Sequence, residues 1–136
     1  SWSSVSDRNM KENFIPVDSR DILRKVLNLP ISTWNYKSQD ASVRHIGAMA
    51  QDFKAAFGVG DSDKTISTID PDGVALAAIQ GLNEELNEQT TNLRAENEQL
   101  KERLKQQETR ISEQQRQIDA LKTLVCATNK TAEICR

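Results

Sequence analysis

Ser6 and Lys11 are side chains whose types fit a hydrolytic reaction: a hydroxyl that attacks a carbonyl and an amine that takes its proton. A lysine does this only as the neutral amine, so a reference pKa of about 10.4 must be brought down by burial or neighbouring cations. Residues five apart lie about 140° apart on a helix and on opposite faces of a strand, so within one chain this pair meets only across a turn. Asp7, Arg8 and Asn9 are turn formers, and Asp7 or Asn9 could orient the pair by hydrogen bonds. Lys11 serving the Ser6 of another subunit is equally open. Taken alone, the spacing occurs by chance in most proteins.

The rest of the chemistry-bearing inventory is short. His45 is the single histidine and Cys126 and Cys135 are the only cysteines, so one chain assembles neither a Ser-His-Asp triad with spare parts nor a four-ligand zinc site. His45, between Arg44 and Ile46 in a predicted strand, reads as a packed or surface histidine. Gly58-Val59-Gly60 lacks the Lys-Ser/Thr of a phosphate loop and reads as an ordinary loop; neither a cofactor nor a metal is expected. Cys126 and Cys135 flank eight residues, a spacing that suits a hairpin-closing disulfide; two free thiols in a reducing compartment are the alternative. Asn129-Lys130-Thr131 is a glycosylation acceptor in form, relevant only in a eukaryotic secretory pathway.

The elements that must position these residues divide at Asp70. In 136 residues the hydrophobic fraction is 37% and six residues are aromatic, too thin for one globular core through the whole length. All three prolines and Gly47, Gly58 and Gly60 precede residue 72, whereas nothing after Gly81 is Gly or Pro. Charge is balanced, with nine basic and nine acidic residues up to Asp70 and nine and eleven after it. Neither half points to nucleic acid, and no apolar run approaches the ~20 residues of a membrane span. Residues 1 to 20 also lack the basic start and apolar middle of a signal peptide.

Before Asp70 the pattern predicts a small mixed domain. Asp18 caps a helix over Ser19 to Leu27 with Ile22, Leu23, Val26 and Leu27 on one apolar face. Strands are predicted at Ile31 to Lys37, Val43 to Ile46 and Thr65 to Ile69, with a helix from Ala48 to Ala56 ending at Gly58. So small a core should be completed by neighbouring subunits.

From Asp70 as N-cap and Pro71 as first helical residue, about 55 residues read as one helix, roughly 80 Å at 1.5 Å per residue. One heptad register fits Leu76 to Val125. Position a holds Leu76, Asn83, Thr90, Asn97, Leu104, Ile111, Ile118 and Val125; position d holds Ile79, Leu86, Leu93, Leu100, Gln107, Gln114 and Leu121. Ten of these fifteen positions are apolar, the pattern of a coiled coil. A parallel, in-register homomer sets Glu96 against Lys101 and Arg103 against Glu108 of a neighbour. Asn at a favours two strands, two successive Gln at d favour three, and periodicity leaves the number open. Residues 72 to 90 contain no Lys or Arg, which excludes a leucine-zipper DNA binder.

Longer motifs give the Ser6 segment its context. Ser6-Asp7-x-x-x-Lys11-Glu12-Asn13-Phe14, Thr33-Trp34-x-Tyr36, His45-Ile46-Gly47-x-x-Ala50-Gln51-Asp52-Phe53 and Ile69-Asp70-x-x-Gly73-Val74 are followed by the heptads. In that order they resemble the C-terminal intramolecular chaperone domain of phage tailspikes and tail fibres, the peptidase S74 or endosialidase chaperone family. They are also similar to the self-cleaving module of myelin regulatory factor. Leu124-Val125-Cys126 to Ile134-Cys135-Arg136 resembles the ending of non-phage or prophage-derived members.

The resemblance implies an α+β fold: a small mixed domain followed by a long C-terminal helix in a parallel coiled coil, assembled as a homotrimer. Residues 1–5 would be a remnant of an upstream stalk, 6–70 the auto-processing domain, 71–125 the coil helix and 126–136 a Cys-flanked hairpin. It implies a chaperone that nucleates folding of an upstream β-rich fibre stalk of the same polypeptide, then cuts itself off at Val5-Ser6. Ser6 would be the nucleophile and Lys11 the base. The implied setting is a phage virion precursor in its host's cytoplasm, or a bacterial or prophage fibre protein. The alternatives are a non-cleaving trimerisation foldon and, from the heptads alone, a coiled-coil adaptor unrelated to fibres. Light scattering tests the association: three times the 15.3 kDa chain mass is expected, and a concentration-independent monomer would refute it.

Overall fold

Asp18 starts the first helix. Its side chain accepts the backbone N–H groups of Arg20 and Asp21, both at 3.0 Å, meeting two donors that a helix leaves unpaired at its first turn. In the computed structural model, which describes residues 4–135, α1 spans Ser19–Asn28. Ile22 and Leu23 are buried and Val26 packs beside them, but Leu27 is exposed. At 100° per residue the four span an arc of about 140° with Leu27 at one edge, 40° beyond Leu23 and one residue from the end of α1.

The strands are shorter than the residue types predict. β1 is Ser32–Trp34 and β2 is His45–Gly47, antiparallel, with Ser32 opposite Gly47, Thr33 opposite Ile46 and Trp34 opposite His45. A strand extends only as far as it has a ladder partner. Beyond Trp34 the chain turns instead, with the Gln39 N–H donating to Tyr36 O and the Ser42 N–H and hydroxyl both donating to the Asp40 carboxylate. These two bonds hold the Asp40 carboxyl below its ordinary pKa, the hydroxyl contributing most. The segment from Thr65 forms no strand; no third edge pairs with it, and Ile69 belongs to the long helix.

α2, Ala50–Phe57, ends at Gly58, whose left-handed backbone (φ 66°) lets its N–H reach Lys54 O at 2.9 Å. Phe53 is buried, with its ring centroid 4.8 Å from that of Phe57. α3 runs Ile69–Thr128, 60 residues. It opens one residue before Asp70, so Pro71 is its third residue rather than its first. Proline is tolerated there because none of the first four N–H groups has a partner within the helix.

The chain falls into two units, 1–88 and 89–136. In the first, Ile22 and Leu23 of α1 pack on Ala77 and Ala78 of α3, flanked by Val26, Phe57 and Val74. In heptad terms Val74, Ala77, Ala78 and Gly81 hold f, b, c and f, opposite the a/d stripe. Small residues let α1 come close, and the Ser19 hydroxyl donates to Glu84 at 2.9 Å while Arg20 pairs with Glu84 at 3.4 Å and Glu88 at 2.8 Å. On the other face Leu76, Ile79 and Leu86 stand 64, 62 and 58% exposed.

In the second unit the exposed stripe continues through Leu93, Leu100, Leu104, Ile111, Ile118 and Leu121. The helix passes residue 125, and Cys126 is in its last turn. The chain then turns, with Ala132 N–H donating to Asn129 O at 3.2 Å, enters a 3-10 turn at Glu133–Cys135, and closes on itself through a Cys126–Cys135 disulfide with Cα atoms 5.7 Å apart.

Gly81 is where packing is tightest: a Cβ there would lie 2.7 Å from Ser19 C and 3.1 Å from Arg20 N, and closer still to Ser19 O. Gly73, on the same helix, has open space at that position. On the single chain, where that space is open, Gly73→Ala should therefore raise stability by up to about 1 kcal/mol, the helix-propensity gain. Gly81→Ala should lower it by about 1–3 kcal/mol through overpacking. Urea unfolding midpoints of the two variants, compared with the parent, check the opposite signs.

Candidate active site

Ser6 lies outside regular secondary structure, next to Asp7, the extended cap residue of a 3-10 turn at Arg8–Met10. Asp7 caps that turn: its backbone carbonyl accepts the Met10 N–H at 3.2 Å, and its Oδ1 accepts the Asn9 N–H at 2.9 Å and the Asn9 Nδ2 at 3.1 Å. Lys11 donates its N–H to Arg8 O at 3.2 Å and then leaves the turn in extended backbone (φ −124°, ψ 154°). The path reverses over five residues, and the Lys11 ammonium donates to Ser6 Oγ at 2.6 Å.

The turn thus brings Ser6 and Lys11 together, while Asp7 and Asn9 bond to each other. Their hydrogen bonds fix the turn rather than the reacting side chains. Val5, whose carbonyl precedes Ser6, is exposed, as is every described residue up to Asp18. Asn13 carries a left-handed backbone (φ 56°) two residues beyond Lys11. Sequence reasoning passed over it, though Asn is among the few non-glycine residues that adopt this conformation readily.

His45 has other company. Its ring lies 4.8 Å from that of Trp34 and 5.4 Å from that of Tyr36, and its Nε2 is 2.9 Å from Gln39 Oε1. Arg44 braces the same sheet, donating to Thr33 Oγ1 at 2.9 Å and Asn35 Oδ1 at 3.1 Å. Among the described residues no cluster of His, Cys, Asp and Glu is disposed to hold a metal ion, and no helix is long and apolar enough to cross a membrane.

Residues 6–59 match the family model of Peptidase S74, described as chaperone of endosialidase. Over that segment the chain is similar to the Peptidase S74 family. The match starts on Ser6 and stops one residue past the Gly58 cap, so the S74 segment holds the turn, α1, both strands and α2. The long helix lies outside it. No curated protein matches the chain.

The Asp7 cap yields a direct test. Asp7→Ala should speed amide hydrogen exchange at Asn9 and leave Arg20 and Asp21, under the separate Asp18 cap, unchanged. Equal exchange at Asn9 in both proteins would show that the carboxylate does not hold the turn.

Proposed function

We propose that this chain is an intramolecular chaperone that assembles as a parallel homotrimer, nucleates folding of a β-rich fibre stalk upstream of it, and releases itself by cutting Val5-Ser6. One observation carries the cleavage reading: the 2.6 Å contact between Lys11 Nζ and Ser6 Oγ, formed at the first residue of a peptidase-family segment.

The chemistry follows from where Ser6 stands. Its Oγ attacks the Val5 carbonyl carbon through a five-membered ring of Oγ, Cβ, Cα, N and that carbon. Lys11, as the free amine, takes the hydroxyl proton and passes it to the departing Ser6 nitrogen. The C–N bond breaks, and an ester joins Val5 to Ser6 Oγ. Water then hydrolyses the ester, leaving a Val5 carboxylate and restoring the hydroxyl. Because nucleophile and carbonyl are in one residue pair, proximity replaces a substrate pocket. Lys11 is exposed on the single chain, and desolvation favours a neutral amine, so covering by neighbouring subunits would tie cutting to assembly.

The exposed a/d stripe of α3 supports the association. A 60-residue polar helix needs partners along its length, and among the described residues its apolar core packing within the chain is at b, c and f positions near its start. A trimer held there brings three stalk chains into register before their non-local contacts form, which lowers the entropic cost of starting them.

The test uses the chain with upstream stalk attached. Ser6→Ala should abolish release, and Lys11→Arg should slow it about 10²- to 10⁴-fold, since a guanidinium keeps its proton. His45→Ala, in a protein that still associates, should cut at the parental rate. The released domain must begin at Ser6. A different N-terminus, or parental cutting by Lys11→Arg, would overturn the Ser-Lys assignment.

A further inference from the structure

A groove of about 330 Å³ opens beside the core of the first unit, walled by Val17, Ile22, Phe57, Val59 and Val74, with Gly73 in its floor and Ile69 at its edge. Asp70 is its one charged lining residue. The groove is the open continuation of the α1–α3 core, since Val74 and Phe57 belong to both. Its rim is still wet, with Val59 40% and Ile69 50% exposed.

The chain also carries an exposed apolar edge. Directly after the left-handed Asn13, Phe14 is 65% and Ile15 85% exposed. Two residues later Val17 reaches the groove wall. The edge is therefore not inserted in its own chain's groove.

Geometry along α3 selects the occupant. Ile69 holds a heptad a position, seven residues before Leu76, so the groove runs into the exposed stripe. α1 begins against Gly81 and Val17 reaches the groove beside Val74, which puts residues 14–17 alongside the first turns of α3. A parallel, in-register neighbour therefore presents its own Phe14 and Ile15 at the height of this groove.

We propose that the groove is an intersubunit socket filled by the Phe14–Ile15 edge of a second copy of this chain. Edge and socket are different patches, so the contact is heterologous, and repeated round a rotation axis it closes into a ring. A parallel coil supplies that axis. The inference rests on the association proposed above and adds to it which surfaces of the small domain meet. Socket filling would also set Lys11, three residues before Phe14, against the neighbouring subunit.

The full chain carrying Ile15→Cys and Gly73→Cys tests this, because position 73 has open space for a side chain and the native cysteines are already paired with each other. Under mild oxidation the expected result is loss of the monomer band on a non-reducing gel in favour of linked dimers and trimers, with a peptide joining positions 15 and 73. Leu27→Cys with Gly73→Cys, an equally exposed apolar site away from the edge, should stay unlinked. A 15–73 link within single chains, or equal ladders from both pairs, would overturn the socket. A trimer by light scattering with no 15–73 link would overturn the socket and leave the association standing, whereas a monomer would remove both.

Discussion

α3 has to serve two faces at once, and the rest of the structure depends on how it does so. Against α1 it offers Ala77, Ala78 and Gly81, residues so small that backbone meets backbone at Ser19. That close approach fixes the position of α1, and with it the Asp18 cap. On the opposite face the large side chains, Leu76, Ile79 and Leu86, remain in water. Had the size pattern been reversed, α1 would be held off by bulky residues and the outer face would have nothing to offer a partner.

The Ser6–Lys11 contact depends on much less. It comes from a single 3-10 turn whose carboxylate cap, backbone bonds and extended exit lie within residues 7 to 11. A contact made by local geometry can form before the domain is packed. What local geometry does not supply is a dry environment, since all these residues are exposed. In the proposed reaction, positioning and activation of the lysine are thus separate: the turn does the first, and covering by other chains does the second.

Legibility in the sequence followed the same division between local and non-local causes. The Asp18 cap, the Gly58 stop and the long helix rest on signals a few residues wide, and they lie within three residues of where those signals put them. The strands do not, because Ile31, Tyr36 and Thr65 have strand-forming side chains but no ladder partner, and partners are a tertiary matter. The exposure of Leu27 was not legible either, because it stands only about 40° from buried Leu23 and tertiary packing at the end of α1 decides whether it is covered. For the site, the five-residue spacing required a turn if Ser6 and Lys11 were to meet within one chain, and left a meeting between subunits equally open. The mutual bonding of Asp7 and Asn9 was not legible, because both residues can bond either a turn or a neighbour and only coordinates distinguish the two.

The buried apolar residues of the single chain are Ile22, Leu23, Phe53, Ala77 and Ala78, two of them alanines. Burial of this size offsets little of the backbone entropy that ordering the domain costs. The exposed apolar residues are far more numerous, and many of them lie on the stripe along α3 or in the Val5 to Val17 segment that bears the Ser6–Lys11 pair. In the proposed trimer such a chain would gain most of its hydrophobic stabilisation from other copies, and folding and association would become one transition whose midpoint depends on concentration. In such a system the environment around Lys11 would change at the same step that completes the fold. No separate sensor of assembly is then required, because the surface that the fold leaves uncovered already contains the residues that would react.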